Sequence, residues 1–207
     1  HPRFRGAHPS RGFPLKPRHT LLIGTGVAVL LLGLCGCATV AAPGVSFATI
    51  ESPAVPRKVR YLVFLPPSYD ASPQRRYPVL YFLHDGYGTE RTLARRGVTA
   101  ELTARMAGGR LPEFLVVAPF GRGTWFSDSH DGKVRYERFL VDGFRRDVES
   151  RYRVLAEKGA RGVTGISVGG YAAVKLGLKH PSLYGAVSSL SGPLIPIGWD
   201  ELERYGS

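Results

Sequence analysis

The residue of this 207-residue chain whose setting most favours chemistry is Ser167, in the run Gly165-Ile166-Ser167-Val168-Gly169-Gly170. A serine hydroxyl is a weak nucleophile until a base takes its proton and donors stabilise the oxyanion that its attack creates. Glycines two residues before and after the serine fit a turn in which its backbone is strained and the neighbouring chain passes too close for side chains. The pattern alone is weak in a chain with 26 glycines, so the flanking elements decide. Residues 161–165 read as a short strand with β-branched side chains, and 168–180 as a helix ended by His180 and Pro181. Strand, tight turn at the serine and helix together make a nucleophile elbow, with Gly170 letting the helix sit close on the sheet. An ordinary Gly-rich strand-to-helix turn is the competing reading.

An oxyanion needs preorganised N–H donors, each commonly worth a factor of about 100 or more in rate. The elbow supplies one, the N–H of Val168 at the helix start. The second is expected in a Gly-containing loop after an early strand. Residues 77–83 form a buried-strand run, followed by His84, Asp85, Gly86, Tyr87 and Gly88 at the carboxyl end where ligands bind in open α/β sheets. The N–H of Gly86 is the first choice and that of Tyr87 the neighbouring one.

The elements that must position these groups alternate in type. A first strand at 57–65 stops at Pro66-Pro67, and after the 77–83 strand come a helix over about 90–106 and a strand at 114–118. A Gly-rich loop at 121–132, a helix over about 137–152, the elbow and a strand at 184–192 complete the series. Such alternation predicts an α/β fold, a mostly parallel sheet covered by helices on both faces.

The blocks YPVLYFLHDGYG, APFGRGTWFSDS, RYERFLVDGFRRDVESRYRV and RGVTGISVGGYAAVKLGLKHPSLYGAVSSLSG, in that order, resemble the esterase D and antigen 85 superfamily of α/β-hydrolases over residues 57–192. The resemblance implies that Ser167 is the nucleophile, with the oxyanion hole formed by Val168 and a residue of the 84–88 loop. Three positions depart from it: Asp85 where many members have glycine, Val168 where many have methionine, and Asp142-Gly143 where many have Glu-Leu. None of these removes a catalytic group.

The resemblance also implies a triad ordered serine, acid, histidine, both partners on later strands. The one histidine after Ser167 is His180, which a helix of 1.5 Å rise per residue places roughly 20 Å away, too far to take the serine proton. Asp200 and Glu201 come too soon after the elbow to be the family acid. His84 is expected to order its loop, and His130 to sit on the rim. The chain therefore reads as the N-terminal part of a hydrolase, lacking the acid and histidine, and is expected to be almost silent as it stands. Trp125, Phe126 and Tyr87 are candidates for a pocket wall, with core packing the alternative.

Ahead of this region the sequence reads as a targeting segment. Basic residues up to Arg18 precede the apolar run 21–34 and then Leu34-Cys35-Gly36-Cys37, a layout that resembles a bacterial lipoprotein signal with Cys37 as the lipidated residue. An uncleaved membrane anchor over about 21–40, or ordinary cleavage near Ala42, are the alternatives. The expected organisation is an export signal at 1–36, a tether at 37–55 and the catalytic domain at 56–207, on the bacterial cell envelope. Both cysteines, Cys35 and Cys37, precede the catalytic domain, so residues 56–207 have no disulfide and no thiolate metal site.

Composition sets the outer limits. With 43% hydrophobic and 11% aromatic residues the chain can fill a sizeable core. The net charge of +12 is partly concentrated at the start, where Arg3, Arg5, Arg11, Lys16 and Arg18 meet no acid before Glu51. The remainder is moderately basic, without the interleaved stacking aromatics of a nucleic-acid surface, so no nucleic-acid partner is expected. Gly24-Thr25-Gly26 lacks the third glycine of a dinucleotide loop, and neither a phosphate loop nor a paired-histidine metal motif occurs, so no cofactor or metal is expected. The reading is an exported serine esterase acting on a small-molecule or carbohydrate ester and held to a membrane by its lipid anchor. An acyltransferase of the antigen 85 type and a non-catalytic envelope lipoprotein are the alternatives.

Overall fold

The computed structural model describes residues 44–194. The expectations for the export segment, for Cys37 and for Asp200 and Glu201 fall outside them. The elements run β1 (Val45–Ile50), β2 (Val59–Phe64), β3 (Val79–Leu83), α1 (Thr92–Arg95), α2 (Val98–Ala107), β4 (Leu115–Pro119) and α3 (Tyr136–Arg138). A π-helical segment (Phe139–Phe144) then leads into α4 (Arg145–Arg151), a short 3-10 turn (Lys158–Ala160), β5 (Arg161–Ile166), α5 (Val168–Lys179) and β6 (Ala186–Leu190).

The strands form one sheet in the order β1-β2-β4-β3-β5-β6. β4, β3, β5 and β6 are parallel, while β2 is antiparallel to β4 and β1 antiparallel to β2. Leu83 stands level with Gly165, so the loop after β3 and the turn after β5 leave the sheet side by side at its carboxyl edge. The fold is the α/β-hydrolase arrangement, and both faces of the sheet are covered. Side chains alternate along each strand. Tyr61, Val63, Tyr81, Leu83, Leu115 and Val117 pack with the π-helical segment, α4 and α5. Leu62, Phe64, Phe82, Val116 and Ala118 pack on the other face with Leu93 of α1 and Met106 of α2. Edge-on contacts such as Tyr61–Phe144, with centroids 5.0 Å apart, fix how the π-helical segment sits on the sheet.

Three expectations are corrected. Residues 45–50, assigned to the tether, are β1, paired along their length with β2 and buried at Val45 and Ile50, so the sheet begins before position 56. The helix over 90–106 is two helices, broken at Gly97, whose φ of 73° is left-handed and ends the first. The helix over 137–152 widens at Phe139–Phe144, where the hydrogen bonding is π-type. Among the described residues β6 pairs with β5 alone, and its Val187 and Leu190 are about half exposed.

Candidate active site

Chain direction must change from β5 to α5 within one residue, and Ser167 makes that turn. Its φ of 53° and ψ of −119° lie where a residue with a Cβ is strained, by about 1–3 kcal/mol. Both of its backbone groups are fixed: its N–H donates to Leu190 O at 2.9 Å, and its carbonyl accepts from Tyr171 N–H at 3.0 Å. The neighbouring glycines are required by contact. A Cβ on Gly165 would fall on the Gly169 backbone and lie 2.7 Å from Leu83 O, and one on Gly169 would overlap the Leu83 carbonyl and reach 2.6 Å from His84 O. On Gly170 it would stand 2.7 Å from Ser189 Oγ and 3.2 Å from the Gly192 Cα, the approach of α5 to β6.

The loop after β3 lies against the start of α5, since a Cβ on Gly86 would be 3.6 Å from a methyl of Val168. As the first residue of α5, Val168 has no acceptor one turn back for its N–H. Of the two loop donors weighed from sequence, the N–H of Tyr87 is engaged, donating to Asp85 Oδ1 at 3.0 Å. Gly88 donates to Asp85 O at 2.9 Å. The Gly86 N–H has no acceptor among the described residues.

His84 holds this loop to the next one. It is 1% exposed; Nδ1 bonds Asp85 O at 2.7 Å and Nε2 accepts the Gly121 N–H at 2.9 Å. That acceptor role puts the ring proton on Nδ1 and makes the imidazole neutral. Burial pushes its pKa below the ordinary 6.5, although the bond to the Asp85 carbonyl opposes the shift. The loop after β4 carries two non-glycine residues of positive φ, Trp125 at 51° and Phe126 at 53°. Of the three aromatics weighed as pocket wall, Phe126 is core, 1% exposed and edge-on to His84 at 5.1 Å, while Tyr87 stands 93% exposed and Trp125 is half-buried.

Sequence reasoning missed a cluster that anchors the same loop to α5. Lys175 Nζ donates to Phe126 O at 3.3 Å and to Ser127 Oγ at 2.5 Å, and pairs with Glu137 Oε2 at 3.2 Å. Glu137 also meets Lys179 at 2.7 Å and His180 at 3.1 Å. Burial alone would raise the Glu137 carboxyl, but the bonds from Lys179, His180 and Lys175 outweigh it and hold the pKa at about 2. Burial lowers the Lys175 ammonium, with Glu137 partly offsetting the shift. The signal was absent because Ser127 and Glu137 lie dozens of residues before Lys175, Lys179 and His180 in sequence. His180 is thus a helix-end residue committed to Glu137, His84 is committed at both nitrogens, and His130 lies on the exposed turn at Ser129–Asp131.

The comparisons agree with this arrangement. Residues 52–204 match the Esterase family, described as "Putative esterase". Esterase Rv1288 of Mycobacterium tuberculosis (strain H37Rv) is 36% identical over 137 residues, covering 63% of this chain and 28% of that protein. A ferulic acid esterase of known structure superposes with a TM-score of 0.67 at 32% identity, over 72% of this chain and 60% of that one. An S-formylglutathione hydrolase from Agrobacterium tumefaciens shares the fold, with a TM-score of 0.64 at 16% identity over 78% and 63% of the two chains. The chain thus spans under a third of the curated relative's length and about 60% of the structural neighbours'. A strained serine between contact-enforced glycines, on a sheet of this order and with a family match over residues 52–204, makes this chain a member of the Esterase family within the esterase D and antigen 85 type of α/β-hydrolases.

Proposed function

We propose that the protein hydrolyses carboxylic esters through a covalent acyl-enzyme on Ser167. The observation that carries this reading is the Ser167 backbone, held at φ 53° by steric contact on both sides, with the Gly86 loop against Val168. In the first step Ser167 Oγ bonds to the ester carbonyl carbon while its proton passes to a base. The negative charge on the former carbonyl oxygen is held by the N–H groups of Val168 and Gly86. Collapse breaks the bond to the alcohol, which leaves with the proton, and water then repeats the sequence to release the acid. On this reading the base is neither His84 nor His180, which are committed to Gly121 and Glu137. The substrate class is a small-molecule or carbohydrate ester, a reading supported by the similarity to a ferulic acid esterase.

The test is Ser167→Ala in the full-length protein. It is expected to abolish hydrolysis of short-chain aryl esters and labelling by a fluorophosphonate while circular dichroism is retained. Labelling that persists in the variant removes Ser167 as the nucleophile. The same reading places the enzyme outside the cytoplasmic membrane, anchored through a lipidated Cys37. Cys37→Ala is expected to leave an unprocessed precursor or release the protein from membranes, with Cys35→Ala near neutral; a mature, unlipidated N-terminus at Pro43 refutes the anchor.

A further inference from the structure

Resting on the esterase reading, we propose that Asp85 is a positioning residue that assigns the oxyanion donor, withdrawing the Tyr87 N–H and leaving the Gly86 N–H to face the substrate. Three consecutive amides, those of Gly86, Tyr87 and Gly88, emerge from the loop after β3, and a hole needs one of them. The Asp85 carbonyl takes the Gly88 N–H at 2.9 Å, and its carboxylate takes the Tyr87 N–H at 3.0 Å. Two further loop carbonyls are bound: Arg122 donates through Nη2 to Tyr87 O and through Nε to Gly88 O at 3.4 Å. Asp85 O also receives His84 Nδ1 at 2.7 Å. Rotation that would swing the Tyr87 N–H toward Ser167 therefore breaks its bond to Asp85 Oδ1, while the adjoining Tyr87–Gly88 peptide is held at both ends, its N–H by Asp85 O and its carbonyl by Arg122.

The second carboxylate oxygen explains how an acid is tolerated here. A negative side chain beside a developing oxyanion opposes it. Arg96 at the end of α1 pairs with Asp85 Oδ2 at 3.1 Å, and Arg122 brings a second guanidinium to the loop. Asp85 is only 16% exposed against 57% for Arg96, so the carboxylate is held and its charge is offset from the solvent side. This aspartate thus fixes which amide is available.

Amide hydrogen exchange in the full-length protein tests this without relying on turnover. The Tyr87 and Gly88 amides are expected to be protected and the Gly86 amide not; in Asp85→Ala the Tyr87 protection disappears, and in Asp85→Asn, whose Oδ1 still accepts, it returns. Asp85→Ala is expected to lower kcat about tenfold with KM changed less than about twofold, because the donor is misplaced in the transition state and not removed. Asp85→Asn should recover most of that loss, and the advantage of an oxoester over its thionoester should shrink in Asp85→Ala alone. A wild-type Tyr87 amide that exchanges as fast as Gly86, or an Asp85→Ala enzyme with wild-type kcat, overturns the proposal. Turnover that survives Ser167→Ala would instead overturn the esterase reading, and it leaves the amide-protection result standing.

Discussion

Gly121 donates its backbone N–H to Nε2 of His84 across 2.9 Å, and this bond, beside those from Arg122 to Tyr87 O and Gly88 O, joins the loop after β4 to the loop after β3. It exists only while the ring is neutral. Protonation would set one N–H against another, inside a pocket closed by the Phe126 ring at 5.1 Å.

The first prediction is therefore a pH dependence of stability. Burial lowers the His84 pKa in the folded state below its ordinary 6.5, so the unfolded chain binds more protons at this residue between the two values. Stability contributed by neutral His84 is full above about 6.5 and is lost as pH falls below it. Urea denaturation of wild type and His84→Gln at pH 7.5, 6.5 and 5.5 should show a decline in the wild type that is flatter in the variant. Parallel declines would mean that the ring accepts a proton without losing Gly121.

A second prediction separates required glycines from incidental ones. Gly169→Ala places a Cβ on the Leu83 carbonyl and should cost about 3 kcal/mol, because backbone must move. Gly159→Ala meets nothing within 4 Å and should stay within about 0.5 kcal/mol of wild type. Equal effects on the denaturation midpoint would contradict the close approach of α5 to β3.

These contrasts bear on what could be read in the sequence. The elbow was legible because steric contact forces glycine at 165, 169 and 170, and the buried strands because five or six apolar residues in a row have few other uses. β1 was not, since only Val45 and Ile50 are buried and the edge strand Val-Ser-Phe-Ala-Thr-Ile continues the small-residue composition before it. The π-type widening at Phe139–Phe144 has no signature in residue types. Asp85 was visible as a departure but not as a function, because its meaning lies in the direction of two oxygens, toward Tyr87 and Arg96. Phe126 could be assigned to core rather than pocket only once its ring was seen against His84.

The third prediction concerns Glu137, which ties Lys175, Lys179 and His180 together behind the Trp125-Phe126 loop. Its folded pKa of about 2 lies below the ordinary 4.5, so its contribution is full above about 4.5 and is lost as pH falls toward 2. Glu137→Gln leaves Lys175 buried without its counter-charge and should cost about 3 kcal/mol at pH 7, with a smaller loss than wild type between pH 5 and 2.5. Lys175→Met should cost less, about 2 kcal/mol, since Lys179 and His180 still balance Glu137. A Glu137→Gln protein as stable as wild type at pH 7 would remove the cluster from the account of the loop.

The last prediction measures the strain at the nucleophile. Ser167 holds φ at 53° and ψ at −119°, a region that costs a residue with a Cβ about 1–3 kcal/mol and glycine almost nothing. Ser167→Ala keeps the Cβ and so keeps the strain. Ser167→Gly relieves it, but gives the unfolded chain more freedom, which offsets about 0.5–1 kcal/mol of the gain. The net expectation is a glycine variant more stable than the alanine variant by about 1 kcal/mol, with both devoid of esterase activity. Comparing two variants that both lack the hydroxyl cancels whatever that group contributes through hydrogen bonding. Urea titration of the pair gives the difference directly, and an alanine variant as stable as the glycine variant would show that the turn at Ser167 is not strained.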